Sequence, residues 1–412
     1  MHPKKYTTIF GQLKFKRYGY QPQDRDDKYD GSDNIYPLDV SANLHKNSYS
    51  YLLQEIVSLL SNNQSFQQVS KFVSKIFSVT LGVDAIERII KDSSSSFQEF
   101  FDELKPITAK EKEIVVVSAD GKGVPMTKEE SKTIQAKVGK GQKKQKKKES
   151  LVSVCYSTLP ISRSASQVAS AIILGKVDTE MEQFKTENIL KVASLAKTKE
   201  ECFLEMKNYS QKLSNTQIPI AIFDGASSLW KPANSTFGNN GFIGILDIIH
   251  VRDYLYLSAH ALYKEGSQEL RQWVFEQCKM ILEGKVEDVI IELKSYFDKV
   301  SKSKIDAFNK TITYFTNHLE YMKYDQYLKE GYPIASGVVE SACSEVVANR
   351  CELPGARWTI DGAEAILKLR SISASDLWDI YWDYNKKSKM QKNYSKYSEA
   401  VNNILEEVQM CG

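Results

Sequence analysis

The chain has 412 residues, of which 42% are hydrophobic and 26% are charged, and its formal net charge is +3. That length allows two or three domains and a sizeable core. No stretch approaches the roughly 20 apolar residues of a membrane-spanning helix, and the polar N-terminus lacks the apolar segment of a signal peptide. The net charge is too small to indicate a nucleic-acid partner, so the placement of the charges matters more.

The six cysteines are scattered along the chain and form no C-x-x-C pair. This spacing argues against a zinc ribbon and against a disulfide framework. A reducing cytoplasm is the simplest setting, and we therefore expect a cytoplasmic protein.

Residues 1–47 are predicted to form a β-hairpin followed by a loop. The segments Tyr6–Gly11 and Leu13–Tyr20 alternate apolar and polar residues, as two short strands joined by a glycine-containing turn do. The second segment is basic and aromatic, so it can lie along a phosphate backbone or simply face solvent. Residues Gln21–Tyr36 are acidic and polar, which indicates a loop.

Residues 48–104 are predicted to be helical. Ser65 and Gln68 have the spacing of a capping box, in which each residue's side chain bonds the other's free amide. Two apolar stripes at helical spacing mark the inner faces: Phe66, Val69, Phe72, Val73 and Ile76, and then Ile86, Ile89 and Ile90. Arg88 and Lys91 fall on the outer face. Two helices joined by a short turn predict a helix-turn-helix DNA-binding region, although an ordinary three-helix bundle has the same pattern.

A run of β-branched residues, Ile114–Val117, leads to Asp120 and a pair of glycines, Gly121 and Gly123. It predicts a buried central strand that presents Asp120 at its end, where the glycines let the chain bend. Two later apolar segments end in the same way: Pro219–Phe223 before Asp224, and Gly241–Leu246 before Asp247. Carboxylates without cysteine or clustered histidine favour hard cations such as Mg²⁺.

The segment Lys128–Lys148 is a lysine-rich insertion, which we expect to be a mobile loop because crowded like charges repel. Two interpretations stay open: a solvated loop, or a segment that holds a DNA backbone through counterion release. The lysines that would contact DNA are Lys143, Lys144, Lys146, Lys147 and Lys148.

The order of the predicted elements indicates a fold. Val124–Met126 is predicted to start a returning strand, Leu151–Tyr156 to form the next strand, and about Asn188 to Leu213 to form a long helix. Three antiparallel strands, a helix, a strand, a helix and a strand make the order of a ribonuclease-H-like α/β fold. In that fold the first and fourth strands lie side by side, so Asp120 and Asp224 can share a metal.

The predicted domains follow from these elements. Residues 105–253 and 331–384 are assigned to the ribonuclease-H-like catalytic domain, 254–330 to a helical insertion, and 385–412 to a C-terminal tail. Glu340 lies in a helix of the second catalytic segment, and we expect Ser336 to cap that helix.

Phosphoryl transfer needs neutralised charge and an activated oxygen, and two divalent ions roughly 4 Å apart supply both. We assign Asp120 as the bridging ligand of two Mg²⁺ ions, for which Mn²⁺ can substitute, and Asp224 and Glu340 as ligands of one ion each. Asp247 competes with Asp224 for the second place. It also forms a D-x-x-H pair with His250, and the two side chains can orient each other and support the metal ligands.

Five segments carry a family resemblance: SADGKGVPM at Ser118–Met126, DGASSLW at Asp224–Trp230, ILDIIHVRDYLYLSAHALY at Ile245–Tyr263, YPIASGVVESAC at Tyr332–Cys343, and LPGARWTIDGAEAILKLR at Leu353–Arg370. With them the chain resembles the ISKra-type insertion-sequence transposases, bacterial enzymes that have a ribonuclease-H-like DDE domain. Parts of the N-terminal half, including the Ser65–Lys91 helices, look similar as well, so the resemblance spans nearly the whole chain.

The resemblance implies a DDE triad: Asp120, Asp224 and Glu340. It also identifies Asp247 and His250 with a D-x-x-H motif shared with Mutator-like transposases. Trp273, an aromatic residue of the helical insertion, corresponds to a position that can stabilise DNA at the cleavage site. Arg357 either touches DNA near the site or belongs, with Trp358, to a packed turn.

Two features depart from the family pattern. The lysine-rich insertion after Met126 is unusually long, and Asn349 precedes Arg350 where an acidic residue is expected. All three triad carboxylates are nevertheless present.

The sequence thus predicts a DNA transposase of a bacterial insertion sequence, located in the cytoplasm with the nucleoid. It would bind the terminal inverted repeats of its element, cleave them to expose a 3′ hydroxyl, and join that hydroxyl to target double-stranded DNA. Two element ends must be held together, so we expect a homodimer or a larger homo-oligomer. The alternatives are a DNA-binding regulator without catalysis, and a ribonuclease-H-like nuclease that cuts DNA without joining it.

Overall fold

A computed structural model describes residues 1–20, 34–134, 146–176, 182–238 and 240–394. The chain divides into two compact units. The first, called here the helical unit, draws on Met1–Leu104, Pro125–Lys146 and Asn349–Gly412, and the second, the sheet unit, consists of Lys105–Val124 and Lys147–Ala348. The described residues after Asn349 therefore group with the N-terminal helices, whereas the sequence assigned 331–384 to the catalytic domain.

The helical unit begins with the predicted hairpin, which is confirmed. Strand β1 (His2–Thr8) pairs antiparallel with β2 (Gly11–Arg17), so the turn lies two residues earlier than the sequence suggested. Gly11 has a φ of 112°, a conformation that glycine adopts without a steric penalty. Most of the predicted acidic loop, residues 21–33, lies outside the described residues.

Six helices follow in this unit. They are α1 (Pro37–Ser41), α2 (Tyr51–Ser61), α3 (Phe66–Phe77), α4 (Val83–Ser93), α5 (Phe97–Glu103) and α6 (Lys128–Thr133). The capping box of Ser65 and Gln68 at the start of α3 is confirmed. In α4 the three isoleucines are buried, and Arg88 and Lys91 are exposed, as predicted.

The predicted apolar stripe of α3 is wrong in part. Val69 and Val73 are fully buried, but Phe72 is 41% and Ile76 is 59% exposed. The predicted stripe was too wide because α3 packs against its neighbours on one narrow face. Phe72 and Ile76 lie outside that face, while Phe66 is half-buried against Trp358.

The sheet unit contains a five-stranded mixed sheet, so the coarse α/β class is confirmed. Its strands are β3 (Ile114–Pro125, of which Pro125 belongs to the helical unit), β4 (Lys147–Thr158), β5 (Glu187–Ser194), β6 (Ile220–Phe223) and β7 (Ile243–Leu246). The strand order is β5-β4-β3-β6-β7. β3 and β6 are parallel, β6 and β7 are parallel, and β4 and β5 are antiparallel.

Two strand predictions need correction. Val124 does not start a returning strand, because β3 continues through it to Pro125. The helix predicted from about Asn188 is also wrong at its start, because Glu187–Ser194 forms the outer strand β5 and the helix begins at Lys199. Asn188 has a φ of 51°, a left-handed conformation that the mixed apolar and polar pattern did not reveal.

The helices of the sheet unit carry the rest of its core. They are α7 (Ala165–Leu174), α8 (Lys199–Leu213), α9 (Ser227–Phe237), α10 (Ile248–Leu262), α11 (Gln268–Leu282), α12 (Val286–Ser295), α13 (Lys302–His318), α14 (Tyr324–Lys329) and α15 (Gly337–Ala342). Short 3₁₀ turns occupy Phe297–Lys299 and Leu319–Tyr321, and a π-helical segment, Cys343–Ala348, follows α15. All four residues of β6 are at most 1% exposed, so the sheet centre is the core of this unit.

Three further helices complete the helical unit: α16 (Asn349–Cys351), α17 (Ile360–Ala374) and α18 (Trp378–Tyr394). α17 packs against α4 and α18. In the part of the chain that the structure describes, no helix has both the length and the hydropathy to cross a membrane.

Candidate active site

Three neighbouring parallel strands carry aspartates at one level of the sheet. Asp224 and Asp247 directly follow the ends of β6 and β7, whereas Asp120 lies within β3, which continues to Pro125, so the strand end predicted at Asp120 is wrong. Ser118 of β3 pairs with Ile222 of β6, which in turn pairs with Ile245 of β7. Two residues after each of these positions stands a carboxylate: Asp120, Asp224 and Asp247. Because side chains alternate along a strand, this common offset brings the three aspartates to the same edge. The Ser118 hydroxyl also donates to the Ile222 carbonyl at 2.7 Å, which holds β3 and β6 in this register.

Asp120 is half-buried and only partly satisfied by the protein. Its Oδ1 accepts from the Gly121 amide at 2.6 Å, and its Oδ2 faces the Cys343 thiol at 3.6 Å. Burial raises the pKa of Asp120, and the negative charge of Asp224 raises it further, which outweighs the opposing contacts with Gly121 and Cys343. Asp224 is therefore near enough to disfavour the ionisation of Asp120.

Asp224 lies in the turn after β6 and keeps one carboxylate oxygen open. Its Oδ1 accepts from the Ala226 amide at 2.8 Å, and its backbone carbonyl accepts from the Trp230 indole at 2.6 Å. The next residue, Gly225, lies against the ring of Tyr314, where a Cβ would come within 2.2 Å of a ring carbon. The turn that presents Asp224 thus depends on glycine for close packing.

Asp247 differs from the other two aspartates because it is completely buried and fully bonded. Its Oδ1 accepts from the amides of Ile249 and Ser336 at 3.0 and 3.2 Å, and its Oδ2 contacts the Ser336 hydroxyl at 2.6 Å and His250 Nδ1 at 2.9 Å. The bond with Asp247 raises the pKa of His250. The pairing predicted for the D-x-x-H motif is present, and both oxygens of Asp247 are occupied by the protein.

Glu340 lies in α15 with an exposed side chain, and among the described residues its carboxylate makes no hydrogen bond or ion pair. The predicted cap of this helix is wrong, because the Ser336 hydroxyl donates to Asp247 instead of to the first turn of α15. Cys343, one turn after Glu340, contacts Asp120, and the charges of Asp120 and Glu340 both raise its pKa beyond the effect of burial. Cys343 therefore lies between the two predicted ligands.

The three predicted ligands do not form one closed metal site here. Across the described ranges, no group of three or more His, Cys, Asp or Glu side chains lies close enough to hold a metal ion. Asp120 and Asp224 interact through their charges, whereas Glu340 stands apart from them at the solvent-exposed side of α15.

The residues predicted to contact DNA occupy different environments. Arg88, Lys91, Arg357, Lys146 and Lys147 are exposed and Lys148 is half-buried, while Lys143 and Lys144 lie outside the described residues. Trp273 is only 8% exposed, and its indole donates to the Tyr296 hydroxyl at 3.2 Å. In this conformation Trp273 packs inside the helical insertion and is not presented at the surface.

Sequence reasoning missed three residues beside the aspartates: Ser336, Cys343 and Tyr314. Ser336 and Cys343 lie in the quoted YPIASGVVESAC motif, so their closeness to Glu340 was a usable signal. Tyr314 had no such signal, because it belongs to the helical insertion, 90 residues beyond Asp224 in the sequence.

The chain was compared with the models of known protein families and with curated proteins, and neither comparison finds a match. The family resemblance therefore rests on the motifs quoted from the sequence, and the architecture established for the chain is the mixed α/β class.

Proposed function

We propose that this chain is a DNA transposase that cleaves phosphodiester bonds at the ends of an insertion sequence and joins them to target DNA. The observation that carries the proposal is the placement of Asp120 and Asp224 at the same level of two neighbouring parallel strands, with the Glu340 helix connected to Asp120 through Cys343. Two carboxylates in this arrangement, and a third on an adjacent helix, suit the handling of a phosphate and its counter-cations.

The strand order supports a ribonuclease-H-like core for this proposal. Numbered within the sheet, the order β5-β4-β3-β6-β7 is 3-2-1-4-5, with the first, fourth and fifth strands parallel. Gly121 faces Glu149 and Gly123 faces Lys147, so β4 runs opposite to β3. The first three strands then form an antiparallel meander, as that fold requires.

The donor chemistry of Asp120 and Asp224 fits a hard divalent cation such as Mg²⁺. Both carboxylates offer oxygen atoms, both keep part of their bonding capacity free among the described residues, and the charge of Asp224 raises the pKa of Asp120. Glu340 would be the third ligand once DNA or ions draw it toward the pair. When bound, the ions would offset the negative charge of the phosphate and lower the pKa of the attacking water.

The neighbouring residues position the carboxylates. The bond from Ser118 to Ile222 fixes the register of Asp120 and Asp224, and the dense network around Asp247 fixes the start of α15. Asp247 then acts as a positioning residue for Glu340, because Ser336 directly precedes the helix that carries Glu340. This geometry favours Asp224 over Asp247 as the second metal ligand.

The remaining features of the proposal concern the DNA. Helices α3 and α4, with exposed Arg88 and Lys91, would bind the terminal repeats of double-stranded DNA, and the lysines before β4 would add sequence-independent contacts with phosphates. A homodimer or larger homo-oligomer would hold two element ends together.

The test is cleavage and joining of DNA that carries the element ends, in Mg²⁺ or Mn²⁺. Asp120→Asn, Asp224→Asn and Glu340→Gln should each lower the rate by several orders of magnitude and leave the binding of the ends intact. Asp253→Asn is a matched control, since Asp253 is an exposed carboxylate of α10.

Three outcomes of this assay distinguish a transposase, a nuclease that does not join DNA, and a regulator without catalysis. Joined products that require all three carboxylates support a transposase. Cut products that are never joined indicate a nuclease, and wild-type protein that binds the ends but leaves them intact indicates a regulator. Cleavage that survives both Asp120→Asn and Asp224→Asn would show that the site has been assigned to the wrong residues.

A further inference from the structure

A half-open cavity of about 290 Å³ lies within the helical unit, bordered by the first residues of α3, the outer face of α4 and the first turn of α17. Three basic side chains line it, Lys91, Arg350 and Arg357, against one acidic side chain, Glu87. Lys91 and Arg357 are exposed, whereas Arg350 is only 3% exposed. The excess of basic groups around a concave space suggests an anionic ligand.

Arg350 is the unusual member of this set because its charge is buried without a counter-ion. Its Nε donates to the Ser61 carbonyl at 2.7 Å, and its guanidinium lies 4.9 Å from the ring centre of Phe66 and 4.7 Å from that of Trp358. These contacts hold the group in place but supply no formal negative charge. Within the described ranges, no carboxylate lies at ion-pair distance from Arg350, and the bond to Ser61 is the hydrogen bond that its side chain makes with those residues.

A buried cation is costly unless an opposite charge and hydrogen bonds compensate it. Burial lowers the pKa of Arg350 to about 10, and the nearby charge of Arg370 acts in the same direction. The carboxyl end of α2, where Ser61 lies, provides only the partial negative charge of a helix dipole. An anion in the cavity would satisfy the N–H groups that the protein leaves unpaired.

Two helix N-termini add to the positive field. Ser65, which precedes the 12-residue helix α3, and Thr359, which precedes the 15-residue helix α17, both line the cavity. The first amide of α17, that of Ile360, already donates to Glu130 at 3.1 Å. The helix ends therefore contribute their dipoles, and the hydrogen bonds to a ligand would come mainly from the basic side chains.

We propose that this cavity binds a phosphate group, with Arg350 at its floor and Lys91 and Arg357 at its mouth. A guanidinium presents paired N–H groups that match phosphate oxygens, which favours phosphate over a simple halide. The phosphate belongs either to a DNA backbone or to a free phosphate-bearing molecule. Phosphate binding in this cavity does not depend on DNA cleavage, so it can be tested independently of the transposase proposal.

The experiment uses the full-length protein and two probes. Inorganic phosphate is titrated by calorimetry against chloride at matched ionic strength, and duplex DNA is titrated over a range of salt concentrations. Arg357→Ala and Lys91→Ala change exposed residues and should not disturb folding. Lys387→Ala is the matched control, because Lys387 is an exposed lysine of α18 in the same unit and does not line the cavity.

Phosphate binding should weaken by roughly 10-fold in Arg357→Ala and in Lys91→Ala, since each removes a charge-assisted contact, and should be unchanged in Lys387→Ala. Arg350→Lys keeps the charge but loses the planar donor group, so it should weaken binding as well. Glu87→Gln should tighten binding by a few-fold because it removes the acidic side chain that lines the cavity, and a folding defect cannot produce that result.

The DNA arm identifies the source of the phosphate. If DNA occupies the cavity, Arg357→Ala and Lys91→Ala should each also lower the salt-dependence slope of duplex binding by about one, whereas Arg350→Lys keeps its charge and should weaken duplex binding without changing the slope. Weaker phosphate binding with unchanged DNA binding assigns the cavity to a free phosphate-bearing molecule. The proposal is overturned if all cavity variants match Lys387→Ala with both probes. It is also overturned if only the exposed residues affect DNA binding, while Arg350→Lys and Glu87→Gln have no effect with either probe.

Discussion

Replacing Asp247 by asparagine tests whether this buried carboxylate positions Glu340 or binds metal. The asparagine carbonyl can still accept from the Ile249 and Ser336 amides, but its NH₂ group replaces the oxygen that contacts the Ser336 hydroxyl and His250. The Ser336 hydroxyl and His250 each lose their acceptor, at about 1 kcal/mol each, so the free energy of unfolding should fall by about 2 kcal/mol. Asp247→Ala leaves all four donors unpaired and should cost about 3–5 kcal/mol.

The assay pairs urea unfolding with the cleavage rate on the same protein preparations. Asp247→Asn should lose stability and keep a reduced rate, because the start of α15 loosens while Asp120, Asp224 and Glu340 remain. Asp224→Asn should abolish cleavage with little loss of stability, since Asp224 is half-exposed and accepts one amide bond. Asp253→Asn again serves as the control. If Asp247→Asn unfolds like the wild type and abolishes cleavage as fully as Asp224→Asn, Asp247 is a metal ligand and the reasoning fails.

The same part of the molecule allows three further tests. The bond with Asp247 raises the pKa of His250 above 6.5. The stability that this pair contributes is therefore fully present below that pH and is lost as the pH rises through the raised pKa. The fall in the free energy of unfolding above about pH 6 should be smaller in His250→Gln than in the wild type, and an equal fall would contradict this. Gly225→Ala should cost about 1–3 kcal/mol in urea unfolding, because the added Cβ meets the Tyr314 ring, and a second substitution, Tyr314→Leu, should recover part of the loss. Burial raises the pKa of Asp120, so ionising this carboxyl opposes folding. Asp120→Asn should therefore raise the melting temperature without divalent ions and should abolish the increase that the proposed Mg²⁺ site predicts for the wild type, and a lower melting temperature would refute the argument.

The common level of the three aspartates could be predicted because the signal is local. An apolar run followed by a carboxylate indicates a strand and the position of the carboxylate on it, and three such runs predicted the neighbouring positions of Asp120, Asp224 and Asp247. The end of the first strand was placed too early, because β3 continues past Asp120 to Pro125. The capping box at Ser65 is similarly local, since its two partners are three residues apart. These features depend on neighbours in the sequence, so the sequence alone contains the information.

The missed features depend on distant neighbours. Strand β5 alternates weakly and contains Lys191, which pairs with Glu345 at 2.6 Å, and no local pattern reveals a partner 154 residues away. The state of Asp247 is equally hidden, because its strongest bond comes from Ser336, which lies 89 residues later in the chain. The position of Ser336 before α15 predicted a helix cap, but its hydroxyl donates to the buried carboxylate of Asp247 instead.

The bonds between Asp247 and Ser336 have a consequence for the 88 residues between them. The chain leaves the sheet at Asp247 and returns to the same carboxylate, and the Ile248 amide also donates to the Ile334 carbonyl at 3.0 Å. The two ends of the helical insertion are thus held together by hydrogen bonds. Lengthening a loop whose ends are held together costs little free energy, because the entropy of loop closure grows only logarithmically with length. The length of this insertion can therefore change at little cost in free energy, while the bonds to Asp247 hold Ser336 and the start of α15 in place.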